Sequence, residues 1–191
     1  LHSLACYSNP KADIETPLDW QEMFEDYPFS GNLREDLVGV AKTQVGYAES
    51  ALNFEADADE VRHGYTRYGA WYGAPYNEWS AMFVSFCLHY AHVDVIPQGT
   101  LCTAWVHDLK NAGKYQSAAD YIPGPGDIIF FDRNGDGSPD HVGIVSSYAP
   151  AEDHDSSRIQ TIEGNSANEV RYNSYNLTNT TIFGYGILFE P

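Results

Sequence analysis

From Leu33 the chain repeats apolar residues at helical spacing. Leu33, Leu37, Val40, Ala41 and Val45 recur at intervals of three and four, and Asn32 and Glu35 stand at capping-box spacing before them. The pattern predicts a helix over about 32–49. Residues 79–92 are almost wholly apolar through their first turns, which predicts a buried central helix. A third, short helix is predicted over 102–112, ending before Gly113. After Pro123 the period changes. GDIIFF (126–131) has the composition of a buried strand, followed by HVGIVSSY (141–148), RIQTIEGN (158–165), EVRYNSYN (169–176) and IFGYGILF (182–189). Helices come first and strands afterwards, so the expected class is α+β, with N-terminal helices packed on an antiparallel β-sheet. Residues 53–78, rich in Tyr, Gly and Trp, read as loop. Residues 1–31, broken by Pro10, Pro17 and Pro28, read as an N-terminal extension or linker lying on a domain of residues 32–191.

Composition narrows the partners. Acidic residues number 27 against 10 basic, a net charge of −17, so phosphate backbones and anionic membranes are repelled. No apolar run approaches the roughly 18 residues of a membrane helix. A hydrophobic fraction of 43% supports one packed core, and the 14 tyrosines suit a groove for a polymeric ligand as well as a core. The chain starts Leu1-His2-Ser3, as a processed or excised piece would. It is expected to be a monomer within a larger modular protein. Cys6, Cys87 and Cys102 are odd in number and form no CxxC pair, which disfavours a disulfide framework or a zinc knuckle.

Three places carry candidate chemistry. Ser80 stands where the central helix begins, as an N-cap or as an exposed nucleophile. His141 opens one strand, and Glu163 and Asn165 close the next. A nucleophile, an imidazole base and an orienting carboxylate or amide are the parts of acyl transfer, although many domains contain such residues. Separately, Asp132, Asn134, Asp136 and Gly137 follow the D-x-N-x-D-G pattern, with Asp140 four residues after Asp136. Alternating oxygen ligands around a tight Gly turn suit a structural Ca²⁺. The bidentate Glu of an EF-hand is missing (that position is Gly143), and an Asp/Asn/Gly turn needs no metal. No cofactor is required for catalysis. His63, His89, His92, His107 and His154 have no mutual ligand spacing and read as surface or packed histidines.

The stretch YTRYGAWYGAPYNEWSAMFVSFC (65–87) resembles the nucleophile segment of CHAP domains, the cysteine- and histidine-dependent amidohydrolase/peptidase family related to NlpC/P60. PGPGDIIFFDRNGDGSPDHVGIV (123–145) and TIEGNS (161–166) resemble its His strand and its Glu/Asn strand, in the same order. The resemblance spans about residues 35–190. It implies a papain-like fold and cleavage of an amide bond in bacterial peptidoglycan, by an endopeptidase or an N-acetylmuramoyl-L-alanine amidase, outside the cell and at the wall. Carried onto this chain, it makes His141 the base and Glu163 and Asn165 the orienting positions. Trp71, Tyr76 and Trp79 would flank the substrate. One position departs: the family's W-C-A-M-F-V reads Trp79-Ser80-Ala81-Met82-Phe83-Val84 here. A thiol at a helix start beside a His ionises near neutral pH, and a hydroxyl does not. An engineered Cys→Ser replacement, a natural wall-binding module without catalysis and a working serine nucleophile all remain open.

Overall fold

The computed structural model describes residues 14–94 and 101–190. Cys6 and the first part of the N-terminal extension lie outside the described residues. The central element is helix α4 (Ser80–Tyr90), whose residues from Ser80 to Leu88 are all buried. Ahead of it come α1 (Pro17–Glu25), α2 (Leu33–Gln44) and α3 (Arg67–Tyr72). After it comes α5 (Cys102–Asn111). Three short strands, β1 (Phe54–Ala56), β2 (Arg62–Gly64) and β3 (Tyr115–Ser117), precede β4 (Ile128–Phe131), β5 (His141–Ala149), β6 (Arg158–Ser166), β7 (Glu169–Asn176) and β8 (Ile182–Gly186).

The strands β3 to β8 form one antiparallel sheet in the order β3-β8-β4-β5-β6-β7. This is the expected α+β layout, with α4 packed on β5 and β6. One apolar cluster fills the space between helices and sheet, with Leu37, Phe83, Phe86, Val142, Ile144 and Ile162 at its centre. A second lies around Ile129, Phe131, Val145, Ile159 and Tyr185. Alternation along β5 explains the division, because successive side chains leave opposite faces of a strand. Gly164 lets helix and sheet close up: a Cβ there would overlap the side chain of Phe83.

Three differences from the sequence expectation have local causes. The extension holds a helix, α1, because Thr16 and Asp19 form a capping box and Pro17 occupies the first turn. Trp20 and Phe24 are buried, and Phe24 stacks on Tyr90 of α4 at 4.9 Å. Just before α1, Glu15 pairs with Arg67 at 2.6 Å and accepts from the Trp20 indole at 2.8 Å. The supposed loop 53–78 contains the β1–β2 hairpin and α3, the latter capped by Thr66 and ended by Gly73 at φ 98°. Helix α2 stops at Gln44, several residues short of the predicted end, before Gly46 at φ 93°.

Candidate active site

Ser80 is not the cap of its helix. The N-cap is Trp79, which supplies no side-chain hydrogen bond, and Ser80 is the first helical residue. Helices α1, α2 and α3 are each closed at this end by Thr16, Asn32 or Thr66. The free N–H groups and positive dipole end of α4 are therefore left without a side-chain acceptor. Trp79 holds this start from beneath. It is 1% exposed, stacks on Tyr68 at 5.4 Å and donates its indole N–H to Glu49 at 3.0 Å. This corrects its assignment to the substrate surface: a ligand cannot reach it. Trp71, half-buried, packs on Phe86 and His89, six and nine residues along α4 from Ser80, which sets it away from the helix start. Tyr76 is placed differently, at a cleft. It lines a cleft of about 430 Å³ with Glu55, Asp57, His63, Glu78 and Met82, and donates to Asn53 Oδ1 at 2.7 Å.

His141 and Glu163 form a buried pair. His141 Nε2 lies 2.8 Å from Glu163 Oε2, with both side chains 2% exposed. Gly143, next on the same face of β5, makes room for this, because a Cβ there would come within 2.6 Å of Glu163 Cγ. The ring of Phe131 backs the imidazole at 5.8 Å. The other carboxylate oxygen, Oε1, accepts from Thr161 Oγ1 at 2.6 Å and from the Tyr175 hydroxyl at 2.9 Å. Burial alone pushes the Glu163 carboxyl up. The hydrogen bond and charge of His141, with the Thr161 and Tyr175 hydroxyls, outweigh it and hold the group below the ordinary range. An ionised Glu163 accepts only, so Nε2 carries the imidazole proton and Nδ1 keeps the lone pair of a base.

Asn165 does other work than orienting the imidazole. It lies at φ 56° beyond Glu163, where the β6–β7 register shifts, and its Nδ2 donates to Glu78 Oε2 at 2.5 Å. Glu78 also faces His63 Nδ1 at 3.8 Å, and His63 Nε2 meets Asp57 at 2.9 Å. The β1–β2 hairpin, the loop before Ser80 and the β6–β7 turn are thus tied in series. The hydrogen bond that His63 donates to Asp57 outweighs slight burial and raises the His63 pKa. His63 and Glu78 carry no sequence signal for this, because their pairing spans the chain from β2 through α3 to the loop before Ser80. Thr161 was legible in principle, since it is two residues before Glu163 and shares its face. Ser80 is linked to the pair through packing. It precedes Phe83 by three residues, one helical turn, and Phe83 meets Gly164, the neighbour of Glu163. Among the described residues no hydrogen bond joins Ser80 to His141.

The 132–140 loop is held by its own backbone. Asp132 accepts from the N–H groups of Gly135, Asp136 and Gly137, and Asp140 from those of Arg133 and Asn134. Asn134 and Asp136 are bonded to each other, and Asp136 also accepts from Ser138 N–H. These N–H to carboxylate bonds give the loop the form of successive Asx turns. Among the described residues no group of three or more His, Cys, Asp or Glu is placed to hold a metal. Among the same residues no helix is long and apolar enough to cross a membrane.

Comparison with known families finds that the CHAP domain matches residues 69–165, just over half of the chain. The match runs from α3 to Asn165 and includes Ser80, His141 and Glu163. No curated protein matches. Among solved structures, Ly7917 with the hydrolyzing product of MDP is similar at a TM-score of 0.45 and 13% identity, over 80% of this chain and 61% of that one. A second structure of Ly7917 gives 0.43 and 13%, over 81% and 62%. This chain thus spans about three fifths of the length of those proteins.

Proposed function

The chain belongs to the CHAP domain family, and on that premise we propose that its site is built to cleave an amide bond of bacterial peptidoglycan at the cell wall, outside the cell. Endopeptidase and N-acetylmuramoyl-L-alanine amidase activity are both compatible with it. The observation that carries the reading is the buried His141–Glu163 pair beside an uncapped helix start. Position 80 is the nucleophile's place. With a thiol there, His141 Nδ1 takes the proton, and the thiolate attacks the amide carbonyl. The N–H groups at the start of α4 are the nearest donors for the oxyanion. His141 then returns the proton to the leaving amine, and a thioester remains. A water deprotonated by His141 Nδ1 hydrolyses it, releasing a carboxylic acid and the thiol. Throughout, Glu163 holds the imidazole by Nε2 and stays ionised as the imidazolium forms and discharges.

Ser80 supplies the shape of that nucleophile without its acidity, so the chain as it stands is silent in this reaction. Among the described residues the other thiols offer no substitute. Cys87 is fully buried, and burial pushes its thiol well up; burial likewise pushes Cys102 up to about 12. The test is Ser80→Cys on purified peptidoglycan. Release of muropeptides with one new amino group per bond cut is the expected result. Intact wall after treatment with a folded Ser80→Cys chain contradicts it. A second reading, a wall-binding module without catalysis, is favoured by Ser80 itself and by its missing bond to His141. It predicts that the parent chain sediments with peptidoglycan and that Ser80→Cys adds no cleavage.

A further inference from the structure

We propose that Thr161 and Tyr175 are positioning residues for the imidazole base, acting through Glu163. The inference deepens the amide-hydrolase reading and rests on it for its functional meaning. Its structural content stands apart from that reading. Two hydroxyl donors, from β6 and β7, converge on the single oxygen Oε1 at 2.6 and 2.9 Å, and leave Oε2 for His141 at 2.8 Å. A buried carboxylate with one partner can rotate about its terminal bond and exchange its oxygens. Three donors at fixed places on two oxygens remove that freedom. They also compensate the desolvation that would otherwise protonate the group. A protonated Glu163 would no longer require the proton on Nε2, and Nδ1 would lose its lone pair to the other tautomer.

Tyr175 reaches the imidazole by a second route. Its ring packs on Phe131 at 4.9 Å, and Phe131 packs on His141 at 5.8 Å. One side chain therefore fixes the carboxylate through its hydroxyl and the imidazole's backing ring through its face. Tyr175 is well suited to donate rather than ionise, since burial and the Glu163 charge both raise its pKa. The charged groups nearby are few. Arg171 stands across from Glu163 on β7 with its side chain half exposed and directed to Glu169, and Arg133 acts on Tyr175 from the 132–140 loop.

Tyr175→Phe keeps the ring and deletes the donor; Thr161→Val does the same for the other hydroxyl. The Glu163 side-chain carboxyl is followed by ¹³C NMR in the Ser80 chain, where no turnover is needed. Each single replacement is expected to raise the Glu163 midpoint by roughly one pH unit, the size of one hydrogen bond to a charged group, and the double replacement by more. The His141 Nε2–H resonance is expected to exchange faster in both. In the Ser80→Cys background, Tyr175→Phe is expected to lower kcat about tenfold with KM little changed. A Glu163 midpoint and Nε2–H exchange rate unaltered in folded Tyr175→Phe and Thr161→Val chains would overturn the proposal. The NMR result separates this inference from the reaction: if Ser80→Cys leaves peptidoglycan intact while the midpoint shifts, the hydrolase reading fails and the positioning stands.

Discussion

Glu163 Oε2 lies 2.8 Å from His141 Nε2 in a pocket that leaves each side chain 2% exposed. The pair is a structural commitment as well as a chemical one. Removing one partner of a buried pair leaves the other desolvated and unmatched. Glu163→Ala is expected to lower the unfolding free energy by about 3 kcal/mol, measured by urea denaturation. Glu163→Gln is expected to cost about 1–3 kcal/mol, because its amide would place a donor against the two hydroxyls or against the imidazole N–H. A change of under about 0.5 kcal/mol, typical of a neutral surface site, contradicts the pairing.

The same pair sets an acid limit. The folded-state pKa of Glu163 is below its ordinary 4.5, so its stabilisation is present above that value and is lost as pH falls through the depressed folded pKa. Thermal unfolding of the parent chain should therefore lose stability below about pH 4.5. Glu163→Gln should flatten that limb relative to the parent while lowering Tm at pH 7. Parallel Tm–pH curves for the two chains would show that Glu163 does not contribute to it.

The tie across the cleft runs with the opposite sign. His63 has a raised pKa through Asp57, so whatever the pair contributes is present below the ordinary 6.5 and lost as pH rises through the raised value. An NMR titration should place the His63 midpoint above 6.5 in the parent chain. Asp57→Asn should bring it down. An unchanged midpoint in Asp57→Asn would assign the shift to other groups.

Gly164 is held by space rather than by backbone angle. A methyl group there would collide with Phe83, one turn from Ser80. Gly164→Ala is expected to destabilise by about 1–3 kcal/mol, in the range of an overpacked core, and to perturb the start of α4. Gly135→Ala makes a control of another kind, since Gly135 lies at φ 74° with open space around it. Its strain is local to the turn, and it should leave the resonances of Ser80 and Phe83 in place.

How much of this was legible before the structure divides by range. Helix α4, the long strands and the order helices-then-sheet follow from apolar period, because residues a few positions apart decide them. The places of Ser80, His141 and Glu163 were legible through the family-like segments around them. The roles of Trp79, Trp71 and Asn165 were not. A tryptophan beside a reactive position reads equally well as a groove wall or a foundation, and only the stacking of Trp79 on Tyr68 decides between them. Asn165 is two residues from Glu163, yet the register shift after Glu163 turns it to Glu78. The Asp132–Asp140 stretch has ligand-type residues in a ligand-type order. In the structure Asp132 and Asp140 accept from N–H groups of the loop itself, contacts that a one-dimensional motif does not display. Helix α1 was hidden among prolines, although its capping box, Thr16 to Asp19, was in plain view.

The central claim is that the start of α4, His141 and Glu163 work as one centre. The measurement that addresses it most directly is the rate of alkylation at position 80 against pH, in Ser80→Cys and in Ser80→Cys/His141→Ala, with the modified residue mapped by mass spectrometry. The account predicts a thiol that ionises well below the ordinary value of about 8.5 in the first chain and returns towards it in the second. A thiol with the ordinary midpoint in both folded chains would contradict it.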